Sequence, residues 1–411
     1  MKTIFRFTGL AVLAVAVLGM GATAASAQDN CGDADGQAAL YTKFTELYPK
    51  TDLPNRKAAV EAAKQFLEKY GTCEPVKEQA DYFKSALPKL EEAIKKIEEG
   101  AAMGALFKRY DAAVTADNAD EILAAGKEIL AKQPDNVNIM VPMGMVGLVK
   151  AYAKDLKYAD DSLKYAQMAL AELKADKPCN RKDKAGNPTN NCGVLKWEMA
   201  RPDIINELTF STAYLKYYAK NDRKGALPIY YELTQGSSRF KEEPRLYATI
   251  GSYYVDASDP IRKEVVDLIT KQKAATTDEE KEKLEGEIKA KVALLNGYTE
   301  RALDAFGRAH KFAEKKGAAE ATLKAELYKT LQALYQRRFE KTDGMDKWIA
   351  DTTSKPLPNP TSEVTPVADP EATTTTSTTS TTAPAGQAAP VTKPAPATPN
   401  GKTAVTTKPK K

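Results

Sequence analysis

One histidine in 411 residues, His310, sets the first bound on chemistry. A serine, threonine or cysteine nucleophile needs a base beside it, so a single imidazole removes most triads. The sequence also lacks the Gly-x-Ser-x-Gly elbow and the Gly-x4-Gly-Lys-Ser/Thr loop that cradles phosphates. His310 follows Ala309 on a stretch with an apolar helical face, which suits a structural or surface residue better than a catalyst. Asp33-Ala34-Asp35-Gly36 has the look of a calcium loop, yet position one would be Cys31 and the closing glutamate would be Thr42. A calcium loop needs ligands at both places, so this segment reads as a surface turn. The 55 carboxylates leave a glycosidase pair open by count alone. No catalytic, cofactor-binding or metal residue emerges, no cofactor is expected, and the chain reads as non-enzymatic.

The four cysteines, Cys31, Cys73, Cys179 and Cys192, are an even number and permit three pairings. Cys31 with Cys73 would bracket a first helix pair. Cys179 with Cys192 would close a loop rich in Asn, Gly, Lys and Pro that has no apolar periodicity. A metal site is the weaker alternative, because the ligand spacings are long and His310 is distant in sequence. Disulfides imply an oxidising compartment, and residues 1–27 agree. Lys2 and Arg6 give a basic start, Leu10 to Leu18 a short apolar run, and Ala25-Ser26-Ala27 a small-x-small cleavage site. The run is short of the roughly 20 residues a spanning helix needs, and no second one follows. Gln28-Asp29-Asn30 precede Cys31 where a lipid-anchored chain would carry small apolar residues. The expectation is a periplasmic or secreted protein with no transmembrane segment in its mature chain.

The formal charge is +5, and Lys2 and Arg6 supply two of those charges, leaving +3. Near balance argues against nucleic acid as a partner, since such domains cluster a strong basic excess.

The elements that position these residues are almost all helical, and no segment alternates as a strand does. Residues 28–136 divide into degenerate hairpins: 37–48 with 56–70, then 76–98 and 101–114 separated at Gly100, then 120–132. Residues 137–356 continue with 137–154, 158–173, a cysteine loop at 176–193, then 203–220 and 223–234. Ser258-Asp259-Pro260 reads as a fresh helix start and Thr277-x-x-Glu280 as a capping box. An inserted long hairpin is therefore expected over 259–295, with the apolar stripe Leu284, Ile288, Val292 and Leu295. Its charges suit a solvated face, or an arm that meets a partner. Residues 357–411 turn to Thr, Pro, Ala and Ser, and 373–382 is almost uninterrupted Thr/Ser. Such a tail is expected to be disordered, because it cannot bury enough apolar surface to offset chain entropy. Its terminal lysines would suit an anionic envelope polymer, while the plainer role is solubility.

Three stretches share one register of about 34 residues. Tyr328, Leu331 and Tyr335 take the spacing W-x2-L-x3-Y, and the count continues to Gly344 as a small contact, Trp348 as a large one and Pro356 as terminator. Tyr247, Ile250, Gly251 and Tyr254 repeat the first-helix pattern. Ala302, Leu303, Phe306 and Ala309 give that of a second helix. The chain thus resembles exported tetratricopeptide (TPR)-repeat proteins, with Tyr214 and Gln332 departing where that family often has glycine. The resemblance implies an all-α, TPR-like α-solenoid of helix hairpins, a right-handed superhelix whose concave face is built from first helices and binds peptides or partner helices. On that register the groove would be lined by Ser211, Leu215, Tyr218, Arg245, Ser252, Lys329, Gln336 and Arg337, with a protein or peptide of the cell envelope as partner. Arg245, Lys329 and Arg337 match in charge the set by which some members clamp a C-terminal carboxylate. Two other readings are a structural envelope component attached by its tail and an enzyme acting on cell-wall glycan. The exported α-superhelical lytic transglycosylases would be the model for the enzyme, but their Glu-Ser and Gly-Leu-Met-Gln motifs do not occur here.

Overall fold

A computed structural model describes residues 30–369. The leader read at 1–27 and the tail from 370 onward lie outside the described residues. The fold is all-α, with twelve α-helices among the described residues that pack mainly in sequence-adjacent pairs. Two compact units divide between Ala105 and Leu106, not at 136.

The first unit holds α1 (Ala34–Leu47), α2 (Leu53–Tyr70) and most of α3 (Lys77–Thr115). Asp33 and Asp52 cap α1 and α2, accepting from the Gly36 and Asn55 amides at 3.0 and 3.1 Å. Asp33 also accepts the Tyr70 hydroxyl at 2.5 Å, so the segment that mimics a calcium loop is a helix cap. Phe44, Phe66 and Phe83 form a buried aromatic core, and a disulfide joins Cys31 to Cys73. Gly100 does not stop a helix: α3 runs through it unbroken. A glycine terminates a helix by turning left-handed; Gly100 keeps to the helix, at a cost of about 1 kcal/mol relative to alanine.

The second unit begins with the last turns of α3. Arg109 pairs with Glu121 and, at 2.7 Å, with Glu128, while the buried Tyr110 donates to the Ile139 carbonyl at 2.8 Å. These bonds tie α3 to α4 (Ala119–Lys132) and α5 (Val137–Tyr152), which is why the unit boundary precedes 136. α6 (Ala159–Lys174) lies close on α5, because a Cβ on Gly144 or Gly147 would meet Ala166 or Ser162 inside 3 Å. The cysteine loop that follows is ordered. β1 (Arg181–Lys182) pairs with β2 (Pro188–Thr189), β3 (Asn191–Cys192) with β4 (Met199–Ala200), and Cys179 is bonded to Cys192. The Asn138 side chain donates to the Cys179 carbonyl at 2.7 Å and accepts from the Gly193 amide at 2.9 Å, pinning the loop to α5.

α7 (Arg201–Tyr214) ends in a π turn at Leu215–Ala219, and α8 (Arg223–Gln235) follows. α9 (Pro244–Ala274) and α10 (Asp278–Lys315) then form one long antiparallel pair. No separate hairpin is inserted at 259–295, because Pro260 lies inside α9. An interior proline costs about 3 kcal/mol. The pair offsets it with buried Val265 and Leu284 and with a 2.5 Å bridge from Lys291 to Glu264. Thr277 does cap α10, accepting from the Glu280 amide at 3.3 Å. α11 (Ala321–Phe339) and the seven-residue α12 (Met345–Asp351) complete the helices.

Residues 357–369 are not a loose tail. Leu357 and Val364 are buried in the core shared by α10 and α11. Arg301 donates to the carbonyls of Asn359, Ser362 and Glu363, and the Val367 amide donates to the Ala293 carbonyl at 2.8 Å. Buried Arg338 reaches Asp369 at 2.6 Å. Two apolar residues and a set of backbone bonds are enough to hold this strap, even in a segment of tail-like composition.

Candidate functional site

In the second unit α7 packs on α5, and single side-chain contacts lead on from the π turn after α7 to α9 and from α9 to the start of α11. The Ser211 hydroxyl of α7 donates to the Gly144 carbonyl of α5 at 3.0 Å, and Tyr152 stands edge-on to Tyr214 with ring centres 5.0 Å apart. Tyr218 and Thr249 of α9 share a hydrogen bond of 3.1 Å. Arg245 of α9 pairs with Glu320, just ahead of α11.

The π turn shapes this face. Its wider winding brings Tyr217 and Tyr218 together, ring centres 4.8 Å apart, below Tyr214 at 4.6 Å from Tyr218. The half-buried Tyr218 has its phenol pushed up by burial, which its bond to Thr249 and the charge of Arg223 only partly counter. Burial works most strongly against the Arg245 cation too, but the hydrogen bond and charge of Glu320, joined by Glu243, together outweigh it and leave the guanidinium above its usual range.

The eight expected groove residues do not share one open groove. Ser211 and Leu215 are completely buried and Ser252 is nearly so. The close approach of α7 to α5 over Gly144 turns their positions from wall into helix contact. Tyr218 and Arg245 are half-buried, while Lys329, Gln336 and Arg337 are exposed along α11. Lys329 and Arg337 make no ion pair with any described residue. Desolvation and the neighbouring charge of Arg262 hold the Arg337 guanidinium below its usual range, against an opposing effect of Asp259. Two clusters result: half-buried tyrosines with a paired arginine, and an exposed cationic ridge.

Other residues of the face escape the repeat pattern. Tyr152 and Tyr214 belong to the aromatic cluster, with the Tyr152 phenol driven well up by burial beside Tyr214 and Glu207. Glu207 takes a bidentate bond from Arg239 at 2.5 and 2.9 Å, and Phe210 stacks on Phe240 at 4.7 Å. The four-residue spacing of the aromatic positions Phe210, Tyr214 and Tyr218 is the signal in the chain that marks this stripe.

The positions picked out by the repeat spacing have different surroundings in the structure. Gly251 of α9 packs on the Phe306 ring of α10, where an added Cβ would stand 2.9 Å away. Trp348, however, packs on Tyr335 and Phe339, with ring centres 6.2 and 5.5 Å apart, and not between Tyr328 and Tyr335. Tyr328 is 37% exposed, donates to Asp346 and lies 5.7 Å from the His310 ring. Gly344 precedes α12 with φ of 92°, so the expected helical contact is a turn that only glycine adopts easily. Among the described residues no group of three His, Cys, Asp or Glu side chains could hold a metal ion.

Comparison with protein families, with curated proteins and with solved structures finds no match.

Proposed function

We propose that this protein is an exported, non-enzymatic scaffold that binds an extended protein or peptide segment on the face of α5, α7, α9 and α11. The four helices would act as the first helices of a TPR-like superhelix. The observation that carries the reading is the cluster of the Tyr152, Tyr214 and Tyr218 rings, bonded to α9 through Thr249, together with the unpaired cations Lys329 and Arg337 on α11. Glycine-to-aromatic packing between α9 and α10 supports the repeat register, and two disulfides are compatible with export. The matching ligand carries aromatic or apolar side chains and a carboxylate-rich end.

Selection from a displayed peptide library tests this, followed by titration of the selected peptides. The Lys329→Glu, Arg337→Glu double variant should fold normally and bind acidic-ended peptides at least about tenfold more weakly, with the wild-type affinity falling as salt rises. Selection of no sequence above a scrambled control, or affinities indifferent to the double variant, would refute the proposal.

The structural reading also has an observation in its favour. Residues 357–369 are clamped to α10, which gives a tail continuing beyond Asp369 a firm root for attachment.

A further inference from the structure

An open cleft of about 250 Å³ lies between one face of α10, Trp348 of α12 and the strap. Gly297, Glu300, Arg301 and Asp304, spaced three and four apart, present one helical stripe to it. Lys355, Pro358, Thr365 and Val367 close the other side. We infer that this cleft is a binding site for a neutral, polyhydroxylated ring, a single sugar unit of a glycan.

The polar groups are set in place by partners outside the cleft. Glu300 accepts from Arg338 at 2.9 Å. Asp304 accepts from both arms of Arg308 at 2.7 and 3.3 Å, and Arg308 also donates to the Lys355 carbonyl at 2.7 Å. Arg301 is fixed by the three strap carbonyls. Acceptors held in this way do not lose side-chain freedom when a ligand arrives, so less of the binding energy is spent on ordering. Burial raises the Asp304 carboxyl above its usual range, while Arg308 draws it back.

The composition of the lining selects the ligand class. Among the lining side chains two carboxylates, Glu300 and Asp304, stand with two cations, Arg301 and Lys355, so the lining itself carries no net formal charge. Hydroxyl groups both donate and accept, which is what a mixture of fixed acceptors and an ammonium asks for. The Lys355 ammonium has no ion pair among the described residues. Trp348 supplies an apolar plate whose negatively polarised face suits the C–H side of a sugar ring. The indole N–H itself is sealed from solvent, so the ring contributes through its apolar surface alone. The volume is below the roughly 300–1,000 Å³ of sites for larger ligands, which points to one ring.

The test uses the full chain and ligand-observed saturation-transfer NMR. Methyl glucoside and N-acetylglucosamine serve as neutral probes, with glucuronate and glucosamine as charged controls. The neutral sugars should bind with a Kd on the order of 1 mM, and Trp348→Phe and Lys355→Ala should each weaken them at least about fivefold. Trp348→Phe keeps a ring and shrinks the apolar plate; Lys355→Ala changes an exposed side chain and keeps the test valid if the first variant folds poorly. Absence of transfer to either neutral sugar at about 50 mM, equal transfer in both variants, or preference for a charged control would overturn the inference.

Discussion

Burial gives His310 a measurable consequence. Its ring is buried, Nδ1 has no hydrogen-bond partner among the described residues, and desolvation lowers its pKa from the ordinary 6.5, with Lys324 and Lys311 adding to the fall and Glu314 and Asp346 opposing it. A histidine whose folded pKa is depressed takes up its proton more readily when unfolded. Its contribution is therefore fully present above pH 6.5 and is lost as pH falls from there toward the folded value. The melting midpoint of the wild type should decline from pH 6.5 downward, and that of His310→Phe should stay flatter until carboxylates begin to titrate near about pH 5. With one imidazole in the chain, NMR can follow the group without assignment; a resonance titrating at or above 6.5, or equal slopes in the two proteins, would count against this account. At this scale the sequence is only partly legible. A sequence spacing speaks to the direction of a side chain around its helix, and the contact of Gly251 with the Phe306 ring is of that readable kind. It does not specify how near the next helix lies. Ser211 and Leu215 are fully buried, and the Ser211 hydroxyl is spent on the Gly144 carbonyl of α5.

Helix ends show a related limit. Thr277 is readable as a cap, and Asp33 and Asp52 obey the same rule, because an N-cap is a local hydrogen bond between a side chain and an amide three residues on. Gly100 and Pro260 mislead because each only weakens a helix, and packing along α3 and between α9 and α10 decides whether it continues. The strap is illegible for the same reason: composition reports an average, and two buried residues suffice to dock a segment. It yields an expected outcome that separates two truncations. Ending the chain after Asp369 should leave the helical signal and melting midpoint nearly unchanged. Ending it after Pro356 removes Leu357 and Val364 from the core, worth about 1.5–3 kcal/mol each if fully buried. It also strips Arg301 of its strap carbonyls and leaves Arg338 with Glu300 alone. At roughly 2–4 °C per kcal/mol for a domain of this class, the midpoint should drop by several degrees. Equal melting of the two truncated proteins would show that the strap contributes nothing to stability.

Across the whole chain, helical periodicity and short connections make the all-α class readable, while the division into units depends on contacts that no local pattern encodes. Arg109 and Tyr110 assign the end of α3 to the second unit, although nothing in their sequence neighbourhood marks a boundary. Each unit carries its own disulfide, and the two crosslinks close loops of different size, with 42 residues separating Cys31 from Cys73 and 13 separating Cys179 from Cys192. In the chain-entropy description, a crosslink of the first span restrains the unfolded state by about 4 kcal/mol and one of the second by about 3 kcal/mol. The first unit is small and relies on few buried aromatics, so it should depend on its bond more heavily. Replacing both Cys31 and Cys73 with serine should raise hydrogen exchange throughout 34–70, since the bond brackets α1 and α2. Protection in α5, α6, α9 and α10 should be unchanged, because their main packing partners lie in the second unit. Replacing Cys179 and Cys192 should produce the converse pattern, concentrated in 176–200, where Asn138 still anchors the loop and limits the loss. Exchange measured by mass spectrometry on both double variants decides the matter: a loss of protection spread evenly over the two units in either protein would mean that they unfold as one cooperative body, and that the boundary at Ala105 has no energetic meaning.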